Sequence, residues 1–189
     1  MGKTLLRGEP VWNAGDRFGI VVSRYNASVT DRLLEGAEQQ LQTAGVPLDA
    51  IVVVSVPGAW ELPVAARRLL ASDTFAAVIC LGCVIQGETT HDRYINQQVS
   101  LSLGELAWQA GIPVSFGVLT CQSMEQALQR AGGRMGNKGS EAAEVALELA
   151  DLFRRLPPSS RQPTISSASV FSHVSDSSRP DDRGESFSE

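Results

Sequence analysis

Apolar positions along the chain change period repeatedly. Phe18-Gly19-Ile20-Val21-Val22-Ser23, Ile51-Val52-Val53-Val54-Ser55-Val56, Ala77 to Val84 and Pro113 to Leu119 are short, continuously apolar runs. Such runs, rich in β-branched residues, predict parallel strands covered on both faces. Helical spacing takes over between them. Leu33, Leu34, Ala37 and Leu41 form one stripe that stops at Gly45 and Pro47, and Leu62, Ala65, Ala66, Leu69 and Leu70 form a second. A third helix is predicted from about Asp92 to Ala110. Ser123-Met124-Glu125-Gln126 resembles a capping box opening a short fourth, and Glu141 to Leu156 makes a fifth with Ala142, Val145, Leu149 and Leu152 inward. Strands alternating with helices predict a three-layer α/β/α sandwich around a central four-stranded parallel sheet. Residues 1–16 are too polar and broken for a core strand, which leaves an extended arm or an edge strand on a neighbour.

The pattern ends at Leu156. Residues 157–189 hold 11 serines and four prolines among isolated apolar residues, too little to offset ordering entropy by burial, so this tail is expected to be disordered. Residues 1–156 read as one folded domain without repeats. A net charge of −5 with no Lys/Arg run, and a pI near 5.1, argue against a nucleic-acid or anionic-membrane partner. No apolar run reaches membrane-spanning length, and the first residues lack the apolar core of a secretory signal, so the expected location is the cytoplasm.

Cys80 and Cys83 have C-x-x-C spacing, but they sit within one strand, where residues three apart point to opposite faces. One strand cannot chelate a metal that way, and with Cys121 they read as buried, inert thiols. His173, in the tail, reads as incidental. Chemistry is expected beyond the carboxyl ends of the strands, where open parallel sheets bind ligands. There lie Arg24-Tyr25-Asn26, Pro57 to Pro63, Gln86 to His91 and Thr120-Cys121-Gln122. Gly87-Glu88-Thr89-Thr90-His91 offers backbone N–H groups, hydroxyls and a helix N-terminus to a phosphate, beside an imidazole. Tyr25 and Trp60 are suited to stacking on a flat heterocycle, and Asn26 and Glu61 to holding hydroxyls. A purely structural reading of the same residues has the aromatics as rim packing, Glu61 as a first-turn charge and the Thr pair as a helix cap.

Five ordered motifs go further than any one of them. Phe18-Gly19-Ile20-Val21 leading to Arg24-Tyr25-Asn26, Val56-Pro57-Gly58-Ala59-Trp60-Glu61-Leu62-Pro63, Gly87 to His91, Pro113 to Leu119, and Arg130-Ala131-Gly132 followed by Gly136-Asn137-Lys138-Gly139 closely resemble the lumazine synthase family from about Arg17 to Leu156. The resemblance implies a flavodoxin-like fold and, as activity, the penultimate step of riboflavin biosynthesis. In that step 5-amino-6-(ribitylamino)uracil condenses with 3,4-dihydroxy-2-butanone 4-phosphate to 6,7-dimethyl-8-ribityllumazine, phosphate and water.

Carried over by motif, Tyr25 stacks on the pyrimidinedione, and Asn26 and Glu61 meet the ribityl chain. Ala59, Trp60, Cys83, Val84 and Ile85 form the wall, Phe116 closes the far side, and Lys138 lies near the polar edge of the heterocycle. Gly87, Glu88 and Thr89 cradle the phosphate, Arg130 is its ionic partner, and His91 transfers protons. The resemblance also implies that Asn26, Glu61 and His91 come from one subunit and Phe116, Arg130 and Lys138 from its neighbour in the ring. No metal or organic cofactor is implied. The expected partners are the small-molecule substrates, copies of the same chain in a pentamer or in a sixty-subunit shell of twelve pentamers, and riboflavin synthase.

Two departures stand out. Asp92 and Arg93 follow His91 where the family usually has an aromatic and then an acid, and the tail is atypical. The alternatives are a flavin- or lumazine-binding or shell-forming member without turnover, and an archaeal-type riboflavin synthase of similar fold. His91 with Glu61, Arg130 and Lys138 argues against the first, and Thr89 with Arg130 against the second.

Overall fold

The structure is a computed structural model that describes residues 4–72 and 74–157. The expected disordered tail, apart from Pro157, and His173 within it lie outside the described residues. Strands β1 (Phe18–Ser23), β2 (Ile51–Val56), β3 (Ala77–Ile85) and β4 (Val114–Cys121) form one parallel sheet in the order β2-β1-β3-β4. Helices α1 (Ala27–Thr43), α2 (Leu62–Ser72), α3 (His91–Ala110), α4 (Met124–Gln129) and α5 (Lys138–Arg155) connect or flank them.

Period-two alternation divides the core into two layers. Phe18, Ile20, Val22, Ile79, Leu81 and Cys83 pack with Leu33, Leu41 and Leu147 under α1 and α5. Val21, Val78, Cys80 and Val84 pack with Leu62, Ala66, Val99 and Leu103 under α2 and α3. The three-layer α/β/α expectation therefore holds. Cys80 and Cys83 face opposite layers, and burial pushes each thiol up to about 12. Cys121 departs from the expectation, being only partly buried. Burial on both faces holds for β1 and most of β3, but β2 and β4 are edges, with Val53 and Phe116 exposed.

Several boundaries shift for local reasons. Helix α5 starts at Lys138 rather than Glu141 because Asn137 caps it, its side-chain oxygen accepting from Gly139 N at 2.8 Å and Ser140 N at 3.3 Å. Its inward face is Ala142, Ala143, Ala146, Leu147, Ala150 and Asp151, while Val145 points outward, contrary to the predicted stripe. The small residues permit close approach of α1: a Cβ on Gly139 would stand 1.9 Å from the Leu33 carbonyl oxygen. Before α5, Ala131–Gly133 (β5) and Gly136–Asn137 (β6) form a small antiparallel hairpin that the apolar pattern does not announce. The start of α4 is a near variant of the expected capping box: Ser123 Oγ accepts from Gln126 N, while Gln126 Oε1 accepts from Gln122 N.

The N-terminal arm lies on its own α5. A Cβ on Gly8 would stand 1.9 Å from the Glu148 carbonyl oxygen. Glu9 N donates to the buried Asp151 carboxylate at 3.0 Å, and Arg154 grips Asp16 with both terminal nitrogens, at 2.7 and 2.5 Å. Among the described residues, no helix is long and apolar enough to cross a membrane.

Candidate active site

The carboxyl ends of the strands are tied together by backbone bonds before any side chain contributes. Beyond β1, Arg24 N donates to Val56 O and Tyr25 N to Pro57 O, at 2.8 and 3.0 Å, fastening the loop after β1 to the loop after β2. Asn26 then adopts a left-handed conformation (φ 61°, ψ 47°), which asparagine tolerates better than most residues. Its carbonyl accepts from Val29 and Thr30 to open α1, and its Nδ2 donates to Cys83 O at 3.0 Å, joining β1 to β3. After β2, Gly58 is extended and leads into a single 3-10 turn at Ala59–Glu61. Glu61 lies in this first turn, and its Oε2 accepts from Gly58 N at 2.9 Å, so one of its oxygens has a structural partner.

These ties create a cleft of about 270 Å³ lined by Tyr25, Gly58, Ala59, Trp60, Cys83, Val84, Ile85, His91 and Ile95. Tyr25 and Trp60 are 72% and 55% exposed at its mouth. Seven of the residues expected at the site therefore converge here. Gly58 and Ile95 were not assigned; Ile95 lies one helical turn beyond His91, a spacing that points to it in retrospect.

His91 is the first residue of α3, one position before the predicted start, and Thr90 is the residue before the helix. Its Nδ1 lies 2.5 Å from Thr89 Oγ1. Gly87 stands against the ring, a Cβ there falling 3.2 Å from His91 Cε1, and Glu88 is exposed in the same turn. Gln86 N donates to Cys121 O at 2.9 Å, anchoring this turn to the end of β4.

The remaining site residues gather elsewhere. Phe116, Val118, Leu119, Thr120, Cys121, Arg130 and Lys138 line a second cleft of about 360 Å³ along the outer edge of β4. The two clefts share no lining residue, although the register sets Val84 beside Thr120 and Ile85 beside Cys121. Thr120 and Cys121, expected just beyond the carboxyl end of this strand, are instead its last two residues. Burial raises the Cys121 thiol, opposed by the nearby Arg130 charge. Lys138 forms an ion pair with Glu141.

An open parallel sheet with an apolar, aromatic-walled cleft at its carboxyl edge, an imidazole at a helix start and a separate cationic cleft belongs to the α/β enzymes that act on small ligands. A family model described as 6,7-dimethyl-8-ribityllumazine synthase matches residues 15–154. A 6,7-dimethyl-8-ribityllumazine synthase of Syntrophus aciditrophicus is 46% identical over 142 residues, covering 75% of this chain and 92% of the relative. Another, of Rhodopirellula baltica, is 49% identical over 140 residues, covering 74% of this chain and 90% of the relative. The chain belongs to the 6,7-dimethyl-8-ribityllumazine synthase family, transferases of riboflavin biosynthesis.

Proposed function

We propose that this chain performs its family's condensation in a site completed by a neighbouring subunit. The reaction joins 5-amino-6-(ribitylamino)uracil to 3,4-dihydroxy-2-butanone 4-phosphate and yields 6,7-dimethyl-8-ribityllumazine, phosphate and water. The observation that carries the assignment is the partition of the expected residues: the Tyr25–Trp60–His91 cleft and the Phe116–Arg130–Lys138 cleft are separate within one chain. In a ring with head-to-tail contacts, the second cleft of one subunit closes the first cleft of the next.

Within the joined site, Tyr25 stacks on the pyrimidinedione between walls from Ala59, Trp60 and Cys83 to Ile85, with Phe116 on the opposite side. Asn26 and Glu61 hold ribityl hydroxyls, and Lys138 faces the polar edge of the ring. Gly87, Glu88 and Thr89 cradle the phosphate, and Arg130 supplies its fixed countercharge. The substrate amine attacks the ketone to form a Schiff base, phosphate leaves by elimination, and ring closure follows. His91 accepts and returns the protons, while most of the acceleration comes from holding two reactants aligned.

A ring also accounts for the outer face of α3, where Tyr94, Leu101 and Trp108 recur every seven residues at 71%, 62% and 86% exposure. An apolar stripe of that spacing is the pattern of a helix packed against copies of itself. The ring is read as a pentamer. The turn from Gly132 to Gly139 is short, which favours association of twelve such rings into a shell, and riboflavin synthase is the associated enzyme. Three unpaired cysteines favour the cytoplasm as the compartment.

The decisive experiment mixes purified protein with both substrates and follows lumazine absorbance and phosphate release together. Stoichiometric appearance of both supports the reading, and binding without either product overturns it.

A further inference from the structure

Thr89 Oγ1 and His91 Nδ1 are 2.5 Å apart, and Gly87 backs the ring at Cε1. Nδ1 thus has the Thr89 hydroxyl beside it, while Nε2 makes no hydrogen bond among the described residues. Asp92, the acid next to it in the chain, does not take the place of Thr89: its Oδ1 is buried and makes no hydrogen bond among the described residues. A threonine hydroxyl has one proton and two lone pairs, so its contact with Nδ1 runs in one of two directions. If the hydroxyl donates to Nδ1, a neutral ring carries its proton on Nε2. If Nδ1–H donates to the hydroxyl oxygen, the hydroxyl proton is available to another acceptor and Nε2 bears a lone pair.

Resting on the reading of Gly87–Thr89 as the phosphate cradle, we propose that Thr89 is a positioning residue that couples phosphate occupancy to the tautomer of His91. A phosphate dianion only accepts hydrogen bonds, so it takes the Thr89 hydroxyl proton as a donor. The oxygen then accepts from Nδ1–H, and Nε2 becomes a proton acceptor. The tautomer change releases one proton from Nε2 to water and takes one from water at Nδ1, leaving the ring neutral and the proton count unchanged. When phosphate departs, the hydroxyl turns back to Nδ1 and the ring presents Nε2–H. His91 is thereby a base while the phosphate group is held, as the proton abstraction of the elimination requires, and an acid once phosphate has departed, when ring closure expels water.

The test is the tautomer itself. The full-length protein, carrying His173→Gln so that His91 is its one imidazole, is labelled with 15N at histidine and observed by magic-angle-spinning NMR with and without inorganic phosphate. Phosphate is expected to move the protonated-nitrogen resonance from Nε2 to Nδ1. Thr89→Ser should keep that response and Thr89→Val should lose it. In turnover, Thr89→Val should lower kcat more than it raises KM for the butanone phosphate, with recovery in Thr89→Ser. A wild-type tautomer ratio unmoved by phosphate, whether or not the anion binds, overturns the proposal, as does a normal response in Thr89→Val. Full turnover by His91→Ala would instead remove the proton-transfer role assigned above while leaving a phosphate-driven tautomer shift standing.

Discussion

The backbone N–H of Lys138 donates to the carbonyl of Arg130 at 2.8 Å, so the two cations of the outer cleft are fastened through the main chain at the base of the β5–β6 hairpin. The bond is independent of either side chain. Truncating Arg130 therefore removes its charge without releasing Lys138.

Arg130→Ala is expected to weaken the butanone phosphate by about 1.5–3 kcal/mol, the contribution of a hydrogen bond to a charged group, or roughly 10- to 150-fold. Binding of the pyrimidine should change little. Separate titrations of the two substrates check this, and equal weakening of both would contradict the division of the site.

His91→Ala should lower turnover by no more than about 10⁴-fold, the upper range for one acid–base group, because approximation of the reactants survives. Pyrimidine binding should persist. Single-turnover kinetics beside an equilibrium titration separate the two, and a collapse of pyrimidine affinity would show that the ring binds rather than transfers protons.

His91 and Arg130 line or border different clefts, so their single mutants should complement each other. Co-refolded His91→Ala and Arg130→Ala chains should recover part of the activity, since some interfaces then pair two intact faces. Mixing assembled rings should recover it only as subunits exchange. Mixed rings, verified by mass, that recover nothing would place the site within one subunit.

Gly139→Ala forces a methyl group onto the Leu33 carbonyl, 1.9 Å away, and should destabilise the fold by about 1–3 kcal/mol as overpacking does. Asn137→Ala removes the cap of the same helix end and should cost about 1 kcal/mol. Urea unfolding measures both, and an unchanged midpoint in Gly139→Ala would show that α1 and α5 separate easily.

The Cys80 thiol, raised by burial from 9.0 to about 12, makes stability fall with alkali. Between those values the unfolded chain has lost the thiol proton while the native state retains it, so unfolding is favoured as pH rises. The native state keeps this contribution in full below about pH 9 and loses it as pH climbs through 12. Cys80→Ala should be less stable at pH 8 through its cavity, yet show a shallower decline above pH 9 than the parent. Urea midpoints across that range decide it. Thiol labelling of the native protein should reach the partly exposed Cys121 first.

Much of this architecture was legible along the chain because its causes are local. Four β-branched runs and the stripes between them specify strands and helices through side-chain periods of two and 3.6, and each run ends where its loop begins. Burial on both faces of β1 follows from FGIVVS having no polar position until Ser23. The motifs at the carboxyl ends were equally local, since Tyr25, Trp60 and His91 each sit within a few residues of a strand end.

What required the tertiary structure depends on partners distant in sequence. The inward face of α5 was legible only in part: Ala142 is buried as expected, but Ala143, Ala146, Leu147 and Ala150 complete the face where α1 approaches at Gly139, and Val145 is left outside. The β5–β6 hairpin is too short for a periodic signal and is held by the Arg130–Lys138 backbone bond. Thr89 reads from sequence as a phosphate ligand or part of a helix cap, and only the turn before α3 sets its hydroxyl on His91. The division of the expected site between subunits comes from the family resemblance and not from any local pattern, and the fold sets His91 and Arg130 in separate clefts of one chain. Residue types and spacing determine which groups a chain offers to a ligand. Whether one copy can bring them together is decided by the distances its sheet imposes.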